Sequence, residues 1–423
     1  MRRHAHGGGR SGTRRPRWLA PVAALLWAVV CPLAVAAESP ESGSETVTLW
    51  VPARGGYLAA WREAARRAAA AHPDILVAIE PIWADYAARL TLALAEGSAP
   101  DLVAVPAALA ARLAARGWLT PVDEIVRRHP PPPAALVPFT WEGRLYALPG
   151  VMDPVVLYVD AGALAEAGLS GEHLSTWATL LDAARRVQAV GRLPWATIVN
   201  GWPPLAMFVW QAGGTLLGPS GQPWDSPDAV AAAATFYHRF VAEGLSPSAP
   251  SSWAEPADLP FRRGEAALFM GSLSDPLELP GSPSPFRPGE TPVGSRVAGR
   301  QVQVVPVPAG PAGSATWLSL EGVGMPRKAR PAAGRALAYL AEALEAMGWQ
   351  PSLAGRPAAR AVATAALAHA RAMPAHPAFL EFDAVWWQDV VVPLVQDRGP
   401  VDVESLLQRA RRRLEQALQS MPR

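Results

Sequence analysis

Ala99-Pro100-Asp101-Leu102-Val103-Ala104-Val105 sets a proline and an aspartate directly before a short apolar run, the pattern of a turn that feeds a buried strand. Just upstream, Tyr86, Leu90 and Leu94 recur at i, i+4 and i+8 and stop at Gly97, which predicts a helix closed by glycine. Further out lie a strand from Ile75 to Glu80, introduced by His72-Pro73-Asp74, and a helix with Tyr57, Trp61, Ala64, Ala65 and Ala68 on one face. A strand from Thr46 to Val51 begins the series, and a helix bearing Leu109 and Leu113, closed by Gly117, continues it. Strands alternating with amphipathic helices predict an α/β fold around a parallel sheet covered on both faces.

His129-Pro130-Pro131-Pro132-Pro133 can be neither helix nor inner strand and is expected at the surface. Beyond it, Gly143 to Pro149 leads to Val155-Val156-Leu157-Tyr158-Val159, read as the first strand of a second alternating series. That series continues with a short helix ending at Gly168 and one from Thr176 that turns Trp177, Leu180, Leu181, Ala184 and Val187 inward. Ser226-Pro227 supplies a cap and a first-turn proline for a helix with Val230, Ala233, Tyr237 and Val241. Strands are expected at Glu265 to Met270 and Val302 to Val307, an exposed loop at Pro276 to Arg296, and an amphipathic helix at Val401 to Leu418.

Residues 1–36 hold six arginines, an apolar run from Trp18 to Val35, and Ala34-Val35-Ala36, the layout of a cleavable signal peptide. A retained anchor is the alternative, because the run approaches the roughly 20 residues that span a bilayer; a twin-arginine signal at Arg14-Arg15 and lipidation at Cys31 are weaker options. All of these readings put the rest of the chain outside the cytoplasm, in the periplasm or at the cell surface. Residues 37–45 read as a flexible spacer. Cys31 is the only cysteine, so no disulfide or cysteine metal site follows the leader. The formal charge of +2 rests on the leader: without its arginines, 32 basic residues face 36 acidic ones, and a nucleic-acid partner is not indicated.

Taken in order, several weak motifs become specific: Gly97 to Asp101, Arg116-Gly117-Trp118-Leu119-Thr120-Pro121, Gly143 to Pro149, Gly213-Gly214 before Asp225-Ser226, and Phe261-Arg262-Arg263-Gly264-Glu265-Ala266-Ala267. From about Thr46 to the C-terminus the chain resembles the carbohydrate-type extracellular solute-binding proteins of bacterial ABC importers, the maltose-binding-protein-like family 1. The resemblance implies a two-lobe periplasmic-binding-protein (Venus flytrap) fold whose lobes are joined by several hinge crossings. It implies residues 45–151 with 317–352 for lobe 1 and 154–312 with 355–423 for lobe 2, with ligand held between them. The implied partners are a small carbohydrate and the transmembrane subunits of a permease, and the chain is expected to be a monomer without cofactor or metal.

A sugar offers C–H faces and a belt of hydroxyls, so a binder needs flat aromatic rings and planar polar groups. The resemblance places Trp202, and one of Trp386 and Trp387, where relatives present aromatic rings; a place in the core is equally open for Trp202 and for that member of the pair. Neighbours on a helix point about 100° apart, so at most one of the pair faces ligand. Polar candidates are sought after strand ends, where ligands of open α/β sheets bind: the resemblance implies Arg54 in the loop after the first strand, Asp153 at the first crossing, and Ser272 and Glu321 in further cleft-lining stretches. A surface arginine at position 54 and a hinge or capping aspartate at position 153 are equally open. Trp61 and Trp177, on amphipathic helical faces, are read as core, and Asp101 as a turn residue. Pro106-Ala107-Ala108 lacks the acid, and Val159-Asp160 the Asn-Lys pair, of maltose-type members, which puts maltose itself in doubt.

Enzymatic chemistry has little foothold. Of eight histidines two lie in the leader, and His369 and His376 are seven apart with no acid-rich helix nearby. No His-Glu-x-x-His, Gly-x-Ser-x-Gly or phosphate-binding loop follows the leader. Two alternatives stay within the binding class: a non-sugar polar solute such as a phosphorylated polyol, or a protein that reports ligand to a membrane sensor.

Overall fold

The first alternating series forms β1 (Glu45–Pro52), α1 (Gly55–Ala71), β2 (Ile75–Ile82), α2 (Tyr86–Glu96), β3 (Leu102–Pro106) and α3 (Ala107–Ala115). This computed structural model describes residues 43–53, 55–196, 203–218, 221–247, 258–273, 300–350, 357–396 and 398–419. The leader, most of the spacer, Arg54, Trp202 and the loop from 276 to 296 therefore lie outside the described residues. β1 runs parallel to both β2 and β3. Asp101 fixes that arrangement: its carboxylate accepts the Thr48 N–H of β1 at 3.0 Å and meets the Arg330 guanidinium at 2.7 Å. The bond from Arg330 holds the Asp101 carboxyl below its usual range.

A short hairpin, Thr140–Trp141 with Arg144–Leu145, leads into β4 (Leu148–Asp160), thirteen residues long and buried throughout. The sequence reading starts a strand only at Val155. Pro149, Gly150 and Pro154 are local breakers, and the strand survives them by changing neighbours. Its first half pairs with β8 (Thr316–Pro326) as far as Pro154, and Val155 to Val159 pair with β6 (Ala266–Ser272). Opposite β8, Val151 faces Glu321 and Pro149 faces Gly322, so Gly150 is skipped as a β-bulge.

The second series adds α4 (Trp177–Ala189), β5 (Leu193–Trp195), α5 (Pro203–Gln211), α6 (Pro227–Ala242) and β7 (Val302–Val305); after β8 the chain returns to the first core as α7 (Pro331–Ala346), and α8 (Phe379–Trp386) and α9 (Val403–Gln419) follow. The Thr176 and Ser226 side chains accept the N–H groups of Thr179 and Ala229, as the cap signals predict. Among the described residues the strands run β2-β1-β3-β8-β4-β6-β5, with β7 antiparallel to β4.

Two large cores share this sheet. One gathers Val47, Leu49, Val51, Trp61, Phe139, Met152, Leu320 and Leu344; the other gathers Leu157, Trp195, Phe208, Tyr237, Phe240, Phe382, Trp386 and Leu414. β4 and β8 contribute to both, with Leu318 and Leu320 in the first and Trp317 in the second. Two hydrophobic cores joined by strands that pass from one to the other are the two-lobe α/β architecture.

α3 of the first core also grips the segment before α8. Arg112 donates to the Pro377 carbonyl at 3.0 and 2.9 Å and pairs with Glu381. Beside it, His376 meets the edge of Trp141 (6.5 Å, 86°), and its Nδ1 accepts the Ala378 N–H at 3.1 Å. Burial lowers the His376 pKa, and the charge of Glu381 only partly opposes this. A depressed folded-state value means the unfolded chain takes the proton more readily, so the contribution of His376 is present above about pH 6.5 and fades as pH falls through the lower folded value. Wild type is therefore expected to lose more stability between pH 7 and pH 5 than His376→Asn, measured by urea unfolding; parallel losses would remove His376 from the explanation.

Candidate functional site

The peptide units of β8 place Trp317, Ser319 and Glu321 at successive alternate positions, hence on one face of the strand. Asp153 of β4 lies directly opposite Ser319 and diagonally from Glu321, a relation that spaces residues roughly 7–8 Å apart. Ser272, the last residue of β6, lies opposite Val155 on the next strand over. Three of the expected site residues, Asp153, Ser272 and Glu321, thus stand on three adjacent strands where the chain passes between cores. Ser272 belongs to its strand instead of following it, and its carbonyl accepts the Tyr158 hydroxyl at 2.8 Å.

Both carboxyl groups are almost fully enclosed, at 2 % exposure each. Burying a carboxylate costs several kcal/mol unless donors meet it. For Glu321 one donor is the Trp61 indole, whose Nε1 lies 2.6 Å from Oε1. Tyr86 lies within the field of the same carboxylate. Its hydroxyl donates to the Ala104 carbonyl at 2.6 Å, and its pKa is pushed well above the ordinary phenol value, first by burial and then by the charge of Glu321. Glu321 is also paired with Pro106, the last residue of β3, and so occupies the carboxyl end of a parallel strand.

The aromatic component of the row is Trp317. Its Nε1 donates to Ser319 Oγ at 3.2 Å, and the Trp210 ring stacks flat on it at 5.4 Å and 4°. The sequence reading did not name Trp210, Trp317 or Ser319 among its candidates. The period-two alternation Trp317-Leu318-Ser319-Leu320-Glu321 carried a signal for the last two; nothing local marked Trp210.

Of the C-terminal tryptophan pair, Trp386 is wholly buried, stacked on Phe382 (5.8 Å, 13°) and edge-on to Trp224 (5.8 Å). It packs the second core. Trp387, where α8 gives way to a π-helical turn through Val391, is half-buried. Trp177 stacks on Phe236 at 4.3 Å, in keeping with its core reading. Two depressions on the first lobe, one around Asp123, Arg127 and Arg144 and one around Trp50, Glu80 and Arg330, include none of the candidate residues.

The sequence model described as "Bacterial extracellular solute-binding protein" matches residues 55–348, more than half of the chain. The chain belongs to that family. No curated protein matches it in sequence. Among solved structures it is similar to the sugar-binding protein MalE of Xanthomonas citri, with a TM-score of 0.72 at 19% identity, covering 89% of this chain and 98% of that one. It is also similar to the GacH receptor of Streptomyces glaucescens, solved unliganded and with acarbose (TM-score 0.70, 18% identity, 90% and 100% covered). A third is UgpB of Mycobacterium tuberculosis in complex with glycerophosphocholine (TM-score 0.70, 21% identity, 89% and 99% covered). The shared fold is the two-lobe periplasmic-binding-protein architecture, and the family is that of the substrate-binding components of ABC importers. Its fold and members are those of non-catalytic, extracytoplasmic solute-binding proteins.

Proposed function

We propose that the chain captures a neutral carbohydrate between its lobes and hands it to the transmembrane subunits of an ABC permease, with no bond made or broken. The observation that carries the choice of ligand is the row on β8 and β4: stacked indoles at Trp317 and Trp210, then Ser319, Asp153 and Glu321. Flat rings suit the C–H face of a sugar, and carboxylates accept hydroxyl donors in pairs. Two enclosed acids disfavour an anionic solute such as a phosphorylated polyol, since each would repel it in a poorly screened setting. Lobe 1 is assigned to residues 45–151 with 317–352 and lobe 2 to 154–312 with 355–423, and closure occurs by hinge bending at the crossings. Trp202, Arg54 and Trp387 complete the ligand-facing set in this reading, and an N-terminal signal peptide delivers the chain to the periplasm or cell surface.

A thermal-shift screen of mono-, di- and oligosaccharides against anionic solutes tests this. A ligand at 100 times its Kd is expected to stabilise by about 2.7 kcal/mol. Stabilisation by anionic solutes alone would reject the sugar reading. With a sugar in hand, Trp202→Ala is expected to weaken binding by about 1–3 kcal/mol, by analogy with aromatic anchors elsewhere. An unchanged affinity in a folded variant would remove Trp202 from the site.

A further inference from the structure

Trp61 is fully buried, and its helical spacing alone makes it a core residue. Two contacts exceed what a core residue needs. At the bulge on β4, a Cβ added to Gly150 would fall 2.0 Å from Trp61 Cη2 and under 3 Å from Cζ2 and Cζ3, so the benzenoid edge of the indole lies directly against the backbone of the crossing strand. The other end of the same rigid ring donates its N–H to Glu321 Oε1 at 2.6 Å. One planar side chain thereby connects α1, the bulge of β4 and the carboxylate of β8. A phenyl ring would fill much of this space without supplying a donor. The indole gives its N–H to an acid at the carboxyl end of β3.

We propose that Trp61 is a positioning residue of the ligand site: wedged against the Gly150 bulge, it holds the Glu321 carboxylate, through its N–H, in the orientation that meets ligand. The proposal rests on the solute-binding reading above. With the ring edge blocked by backbone, the N–H cannot follow a rotating carboxylate, so Glu321 turns only by giving up a buried hydrogen bond to a charged group.

Trp61→Phe keeps a ring against Gly150 and deletes the donor. Affinity for the strongest solute of the screen, whatever its class, is to be measured by calorimetry at pH 7 in wild type, W61F, E321Q and the double variant. W61F is expected to bind about tenfold more weakly than wild type. E321Q is expected to be weaker than wild type and the double variant no weaker than E321Q, a non-additivity that a merely structural loss at Trp61 would not give. If W61F proves too unstable to measure, E321Q against wild type carries the test, and equal affinity of these two overturns the proposal. So does wild-type behaviour of W61F, or strictly additive losses in the double variant. A wild type that binds only anionic solutes refutes the sugar reading while the same four-way comparison, run with that solute, still decides on Trp61. A wild type that binds nothing counts against both.

Discussion

Trp386→Ala is expected to cost about 3–5 kcal/mol of folding stability, the range for removing a large aromatic ring from a packed core. The side chain is enclosed on every side: Phe382 stacks on it one turn earlier in α8, Trp224 meets it edge-on, and Leu406, Leu407, Ala410 and Leu414 of α9 belong to the same core. An alanine there leaves a cavity that two helices and a π-helical turn cannot all collapse to fill. The indole N–H has no hydrogen-bond partner among the described residues, so Trp386→Phe deletes an unmet donor along with some volume and is expected to cost well under half as much. Trp387→Ala, at a half-buried ring, is expected to cost about 1 kcal/mol or less. Urea unfolding of the three variants checks the order. A Trp386→Ala protein within about 1 kcal/mol of wild type that had lost ligand affinity would return Trp386 to the binding site.

The same pair shows where local pattern carries information and where it stops. That adjacent helical residues diverge was enough to say that only one of Trp386 and Trp387 could face ligand, but choosing between them needed Phe382 and Trp224, and Trp224 is far off in sequence. The first lobe was readable because its strands and helices alternate at their natural periods and close with turn residues, down to Asp101 as the strand-entry anchor. β4 was not readable as one strand: Pro149, Gly150 and Pro154 are local breakers, and pairing with β8 on one half and β6 on the other overrides them. Trp61 was correctly read as core from its helical face. Its bond to Glu321 spans 260 positions and leaves no trace in either neighbourhood. Asp153, Ser272 and Glu321 entered through family resemblance, and the register of three strands supplied the spatial relation that the resemblance lacked.

Gln211→Leu is expected to cost about 2–5 kcal/mol, because it strips partners from two buried groups at roughly 1–3 kcal/mol each while keeping the volume nearly constant. Gln211 is completely buried at the end of α5. Its Oε1 accepts the Trp177 indole N–H at 2.6 Å, its Nε2 donates to the Ala315 carbonyl at 2.7 Å, and its own carbonyl accepts the Ala312 N–H at 2.8 Å. Gly310 approaches so closely that a Cβ would lie 2.7 Å from the Gln211 carbonyl and 2.9 Å from the Trp177 ring. Ala309 adds two backbone bonds, to the Ser175 carbonyl and from the Trp177 N–H. The stretch from 309 to 315 is therefore tied to Ser175, Trp177 and Gln211 at Ala309, Ala312 and Ala315. Leucine cannot donate or accept, so the variant should unfold at lower urea and show faster amide exchange confined to residues 309–316. A loss below about 1 kcal/mol with unchanged exchange would mean that the backbone bonds alone pin the segment, and that Gln211 contributes only its bulk.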